Sequence, residues 1–187
     1  MCAAWPAALR AARSAVWLEG GARDAVHALK YRGLARIADD LADVTAAIAL
    51  PARDTAYLVP IPLGRQRLRE RGYNQSERLA RALARRWHRP VVDLLVRVRE
   101  TATQTALTPD ARLANVAGAF AVAEGSIGGL TPGRRPGVSR PWPSLILVDD
   151  VFTTGATLAE AARALERAGV RNVLAVTFGR AILPDFT

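Results

Sequence analysis

The chemistry in this chain is densest between Leu145 and Leu158, which reads LILVDDVFTTGATL. Leu145 to Val148 form a continuous apolar run, as expected for a strand buried on both faces of a parallel sheet. Asp149 and Asp150 follow at its carboxyl end, where ligands bind in open parallel sheets. Thr153, Thr154 and Thr157 add hydroxyl donors, and Gly155 lets the backbone approach a ligand closely. A helix opening near Ala156 would turn N–H groups and the positive end of its dipole toward the loop, which suits a phosphate. Paired carboxylates beside such a cradle can accept hydrogen bonds from vicinal sugar hydroxyls or hold Mg2+. A sugar phosphate is therefore the natural ligand on these residues alone. A capping carboxylate with a Thr-rich turn is the plainer account. Two carboxylates, three Thr and one Gly in nine residues after a buried strand favour the ligand site.

The elements that must position this site follow from periodicity. Leu158, Ala161, Ala162, Leu165 and Ala168 repeat at helical spacing, Gly169 stops that helix, and Val173 to Val176 read as a second buried strand. Strand, loop, helix and strand in this order make a βαβ unit, so the fold class is α/β, a mainly parallel sheet flanked by helices with 145–148 central. Upstream, 7–16 reads as a short helix, Arg23 to Leu29 as helical, and Leu34 to Ile48 as a further helix ended by Pro51. Tyr57 to Pro62 is a short strand closed by prolines, and 65–71 follows as a loop. A strong helix pattern runs from Asn74 to Trp87. Val91 to Val98 holds one or two strands, 99–116 is ambiguous, and Ala119 to Ala123 is a candidate strand. Residues 124–144 contain five Gly, four Pro and three Arg without periodicity, the composition of a loop or insertion. The domain reading is a helical amino-terminal segment, 1–50, packed on a domain spanning 51–187 that carries this insertion.

With 187 residues, half of them hydrophobic, the chain can bury a sizeable core. Its net charge is +9, but the 26 basic residues are 25 Arg and one Lys, a skew that reads partly as compositional bias. Arg forks onto phosphate better than Lys does, so the bias is compatible with anion recognition. One Cys and two His cannot build a four-ligand Cys/His zinc site or an intrachain disulfide. The only lysine, Lys30, precedes Tyr31-Arg32-Gly33, so no Walker phosphate loop exists. No apolar run reaches ~18 residues, so no membrane span is expected. Residues 1–18 make a poor signal peptide, and the cytoplasm is the expected compartment.

Val148-Asp149-Asp150-Val151-Phe152-Thr153-Thr154-Gly155-Ala156-Thr157 closely resembles the phosphoribosyl pyrophosphate (PRPP) motif of type I phosphoribosyltransferases. Val59-Pro60-Ile61-Pro62-Leu63, then Arg67 and Arg69-Glu70-Arg71-Gly72-Tyr73-Asn74-Gln75, resemble the signature of ComF-type (ComF/GntX) members. Leu29 to Gly33 and the series Arg97, Arg99, Thr101, Gln104, Leu107, Arg112, Asn115 and Gly118-Ala119-Phe120 do so as well. The resemblance implies a Rossmann-like fold with a hood or flexible loop. It implies Asp149 and Asp150 on the ribose, as the catalytic pair and as Mg2+ ligands directly or through ribose and water. It implies Thr153, Thr154, Gly155, Ala156 and Thr157 around the 5′-phosphate, and Arg65, Arg67, Arg69 and Arg71 on pyrophosphate. Arg97, Arg99, Gln104, Arg112 and Asn115 would belong to the hood. Many ComF-type proteins carry a four-Cys zinc ribbon, which the single cysteine excludes from these 187 residues. Several purine phosphoribosyltransferases carry an acid where Thr153 stands, so a purine salvage role is weakened.

Two functions follow as expectations. The first is a PRPP- and Mg2+-dependent phosphoribosyl transfer to an unnamed acceptor, linked to DNA uptake or nucleotide metabolism. The second is a non-catalytic PRPP-binding module that holds single-stranded DNA or a competence-machinery partner; a homodimer is compatible with either. Residues 65–99 hold eleven Arg against Glu70, Glu77 and Asp93, so this segment carries nearly the whole net charge. Arg78, Arg81, Arg85 and Arg89 share one helix side and read as a solvated face. Arg65 to Arg71 would present alternate arginines to one side if their loop is extended, and ordered or not they offer a polyanion a dense positive field.

Overall fold

The structure, a computed structural model, describes residues 5–31, 34–100, 109–124 and 142–182. Its centre is a four-stranded, wholly parallel sheet in the order β1-β6-β5-β2, built from β1 (Leu9–Trp17), β2 (Tyr57–Pro60), β5 (Leu145–Phe152) and β6 (Val173–Arg180). The expected α/β class and the central place of 145–148 are what the chain adopts. Side-chain alternation explains why β5 is apolar throughout its first half. Leu145 and Leu147 enter the core beneath α6 (Ala156–Arg167), while Ile146 and Val148 enter the opposite core. That second core is closed by α1 (Gly20–Tyr31), α2 (Ile37–Ala46) and α4 (Gln75–Trp87). A small antiparallel pair, β3 (Leu95–Arg97) and β4 (Phe120–Val122), packs with α5 (Pro109–Val116) beside α6. The buried Glu160 of α6 fixes that unit by accepting from Gly118 N at 3.0 Å.

The strand β5 outlasts its neighbour β2. Pairing with β2 stops at Pro60↔Val148, whereas pairing with β6 runs on to Phe152↔Arg180. Proline ends the ladder on one side, so Asp149 and Asp150 stand at the carboxyl end of the sheet with one flank open.

Two expectations are corrected. The helix expected at 7–16 is the strand β1, paired with β6 from Leu9↔Val173 to Trp17↔Arg180. β6 is buried on nearly its whole length and needs a partner for its second row of backbone groups. That demand overrides the helical leaning of an Ala-rich segment. Ser14 and Thr177 hydroxyls meet across the pair at 2.7 Å. The loop expected at 65–71 is instead a helix, α3 (Arg65–Arg71). Glu100 accepts from Gln66 N at 3.3 Å at its start, Gln66 and Glu70 bond one turn apart at 2.8 Å, and Gly72 closes it at φ 75. Arg, Gln, Leu and Glu are all good helix formers, and glycine ends helices because it adopts left-handed dihedrals readily.

Candidate functional site

A cleft of about 820 Å³ opens at the carboxyl ends of β2 and β5. Its floor is the acidic pair. Asp149 and Asp150 are 9 % and 4 % exposed, burial that charged carboxylates tolerate only with partners. Asp149 Oδ1 accepts from Ser76 Oγ at 2.7 Å and from Asp150 N at 2.9 Å. Lys30 Nζ lies 2.7 Å from Asp150 Oδ2. Burial, and then the adjacent Asp150 charge, push the Asp149 carboxyl up to about 7 against the pull of Ser76 and Lys30. Burial opposes the charge on Lys30, yet Asp150 and then Asp149 outweigh it, so the ammonium is held above its ordinary value.

Residues 72–76 explain how Lys30 and Ser76 reach this floor. The Tyr73 hydroxyl donates to the carbonyl of Leu29 and so ties down the end of α1 one residue before Lys30. Asn74 caps α4 by accepting from Ser76 N at 3.1 Å and donates to Ile61 O at 2.9 Å, just beyond β2. Gln75 lines the cleft and Ser76 holds Asp149. Each residue of the Tyr-Asn-Gln-Ser run thus has a distinct duty.

The turn after β5 forms a second wall. Thr153 and Thr157 line the cleft, while Thr154, Gly155 and Ala156 build the turn behind them. Thr154 Oγ1 accepts from Ala156 N at 3.4 Å. Gly155 sits at φ 78, and a Cβ there would lie 2.9 Å from the Phe152 ring, so both dihedral and space require glycine.

The third wall is cationic. On a helix, residues four apart share a face. Arg67 and Arg71 therefore face the cleft together, while Arg65 and Arg69 are exposed on the other side of α3. The expected one-sided row of four is corrected to two pairs. Arg71 lies over the Tyr31 ring at 5.1 Å. Arg97 lines the same wall, its pKa lowered by burial and then by the nearby Arg67 charge, and an anion there would offset the repulsion between the two guanidinium groups.

Of the other hood residues, Arg99 donates to Asn115 O at 3.0 Å and Ala117 O at 2.5 Å, which makes it a fastener of the α5–β4 unit. Asn115 lies on α5; Gln104 and the Arg112 side chain lie outside the described residues, as does most of the 124–144 segment. Two contributors were not singled out for the site from sequence. Lys30 carried no more than its family match, though being the only lysine was a signal. Ser76 carried none, because its role arises only when α4 packs against β5.

The fold and cleft define an α/β protein of Rossmann-like architecture with an acid, a hydroxyl and a guanidinium wall around one site. Among curated proteins, the chain is similar to DNA utilization protein YhgH of Escherichia coli K12, 34% identical over 155 residues, 79% of this chain and 62% of that protein. It is 31% identical to Competence protein ComFC of Bacillus subtilis over 163 residues, 86% of this chain and 60% of that protein. It is 35% identical to Competence protein F of Haemophilus influenzae over 120 residues, 62% of this chain and 46% of that protein. The chain thus spans between about half and 62% of the length of these relatives. Compared with models of known protein families, it matches none. The likenesses support a ComF-type protein.

Proposed function

We propose that this chain binds PRPP in the cleft and transfers its phosphoribosyl group to an acceptor, releasing pyrophosphate. The observation that carries the reading is the juxtaposition of a buried acidic pair, a Thr-Gly helix-opening turn and the paired Arg67 and Arg71 in one cleft. Thr153 and Thr157, with the first turn of α6, fit the 5′-phosphate. Asp149 and Asp150 fit the ribose, and Arg67, Arg71 and Arg97 fit the diphosphate as charge-assisted donors.

In the transfer, the acceptor's lone pair forms a bond to the anomeric carbon while the C–O bond to pyrophosphate breaks. Pyrophosphate leaves with the electron pair, and the acceptor gives up its proton. Positive charge grows on the sugar above the acidic floor and negative charge grows on the leaving group beside the arginines, so fixed charges lower the barrier at both ends. The donors suit Mg2+ in one manner only. Among the described residues, no group of three or more Asp, Glu, His or Cys is placed to hold a metal, and both carboxylates already carry protein partners. Mg2+ would be held mainly by diphosphate oxygens and water, with Asp149 and Asp150 as its protein contacts, and when bound would neutralise charge on the leaving group.

The test is pyrophosphate release from PRPP and Mg2+ across a panel of nucleobases and small amines, alongside the PRPP-induced rise in melting temperature. Asp149→Asn, Asp150→Asn should abolish both while the apo protein stays folded. A double variant that responds as wild type does would refute the sugar-site reading. A second reading, PRPP held as a signal by a DNA-handling module, draws on the relatives' names; retention of the thermal shift with no release for any acceptor would select it.

A further inference from the structure

Among the described residues, two buried side-chain oxygens have no hydrogen bond, Gln75 Oε1 and Asp150 Oδ2, and both residues line the cleft. The second is answered by the Lys30 ammonium as an ion pair at 2.7 Å. The first has no partner among the described residues. Gln75 is 5 % exposed, and its backbone is held on both sides, by the Asn74 cap and by Ser76 anchored to Asp149. An acceptor left unpaired in a rigid wall is costly, and a group of this kind beside a cleft is available to a donor on a bound molecule.

The chemistry of the partner follows from the reading of the cleft, on which this inference rests. Phosphate and diphosphate oxygens at neutral pH are acceptors, and a sugar phosphate's donors are its ring hydroxyls. We infer that Gln75 accepts a hydrogen bond from one ribose hydroxyl and makes the cleft selective for ribose phosphates over their deoxy counterparts. A site built around a buried acceptor rejects an analogue lacking the matching donor, because binding would then seal the oxygen away unpaired.

The experiment measures binding of 1-O-methyl ribofuranoside 5-phosphate, its 2-deoxy and 3-deoxy counterparts, and inorganic pyrophosphate to wild type and to Gln75→Leu by calorimetry. Wild type should prefer the ribo sugar over one of the deoxy sugars by about tenfold or more. Gln75→Leu should lower that preference by about threefold or more while Asp149 and Asp150 keep the remainder, leave pyrophosphate binding unchanged, and melt no lower than wild type, since it removes an unpaired oxygen at similar volume. Should leucine not fold, Gln75→Met carries the same comparison. Undiminished preference in the variant, no preference in wild type, or equal loss for all three sugars would overturn the role of Gln75 while the sugar-phosphate reading stands. Wild type that binds none of the three sugars would overturn that reading itself.

Discussion

The cations of α4 and those of the cleft have the same chemistry and opposite situations. On α4, Arg81 pairs with Glu77 at 2.8 Å, Arg85 with Asp39, and Arg86 with Asp43 at 2.7 Å. Arg89 donates to the carbonyls of Ala56 and Asp54 at 2.9 and 2.8 Å. Arg81 is spent within α4, Arg85 and Arg86 join it to α2, and Arg89, just past its end, ties it to the approach to β2. In the cleft, Lys30 is 22 % exposed against an acid that is 5 % exposed, and Arg67 and Arg97 raise one another's electrostatic cost. Sequence charge counting weighs the two groups alike. Burial and partner geometry separate a structural cation from one arranged for a ligand, and the α4 face is correspondingly poor ground for a polyanion.

The largest effect expected within this contrast is at Lys30. Lys30→Met would leave Asp150 buried without its counter-charge, and breaking a buried pair on one side costs about 3 kcal/mol. Thermal melting at pH 7 should fall by roughly 6–12 °C for a chain of this size. The sign of the pH dependence follows from the raised lysine: its contribution is complete below the ordinary lysine value of 10.5 and is lost as pH rises through the higher folded value. A variant that melts within 1–2 °C of wild type would place the Lys30 pair with the exposed pairs of α4.

Next comes the split of the α3 arginines. Arg67→Gln, Arg71→Gln should weaken PRPP and pyrophosphate binding by roughly 10²-fold, two charge-assisted hydrogen bonds being lost, and ribose 5-phosphate binding far less. Arg65→Gln, Arg69→Gln and Arg81→Gln, Arg85→Gln should each change PRPP affinity by no more than about twofold at physiological salt, where exposed charges are screened. Equal losses for all three pairs in titration calorimetry would dissolve the contrast into a general positive field.

How far the sequence reached follows the same physics. The βαβ unit from Leu145 to Val176 was legible because apolar runs, the Thr-Gly turn and helical spacing all agreed, and the acidic pair followed from its place at a strand end. β1 was misread because alanine leans toward helix, whereas the open edge of β6, far along the chain, decided its state. α3 was misread as a loop although Gly72 and a run of good helix formers were present, and taking that loop as extended fused two faces of a helix into one row. The roles of Lys30 and Ser76 depend on α1 and α4 closing over β5, contacts that no local pattern encodes.

A smaller effect concerns Asp149. Its carboxyl is raised from 3.8 to about 7, so the folded state holds a proton more tightly than the unfolded chain does. The associated stability is complete below about pH 4 and is lost as pH rises toward 7. Asp149→Asn should remove that part of the slope, melting like wild type near pH 4 and above it at pH 8 without ligand. Parallel melting curves across this range would mean that Ser76 and Lys30 compensate the burial fully.

The smallest expected effect belongs to the other side of the comparison. Asp39 and Asp43 are 51 % and 68 % exposed, and the Arg85 that meets Asp39 is 62 % exposed. Water and salt screen such charges, and ordering long side chains opposes much of the attraction, so an exposed pair contributes no more than about 1 kcal/mol. Asp39→Asn should lower the melting temperature by no more than about 3 °C in low salt, and the difference should shrink further at 0.5 M salt, where the screening length falls to roughly 4 Å. PRPP binding should not change, because Asp39 serves α2 and α4 and touches no wall of the cleft. Lys30→Met run through the same salt series should keep most of its deficit, since a largely buried pair is screened much less than an exposed one. A salt-resistant loss at Asp39 would show that the α2–α4 network is coupled to the core as tightly as the cleft pair is, and exposure would then fail to separate the two sets of cations.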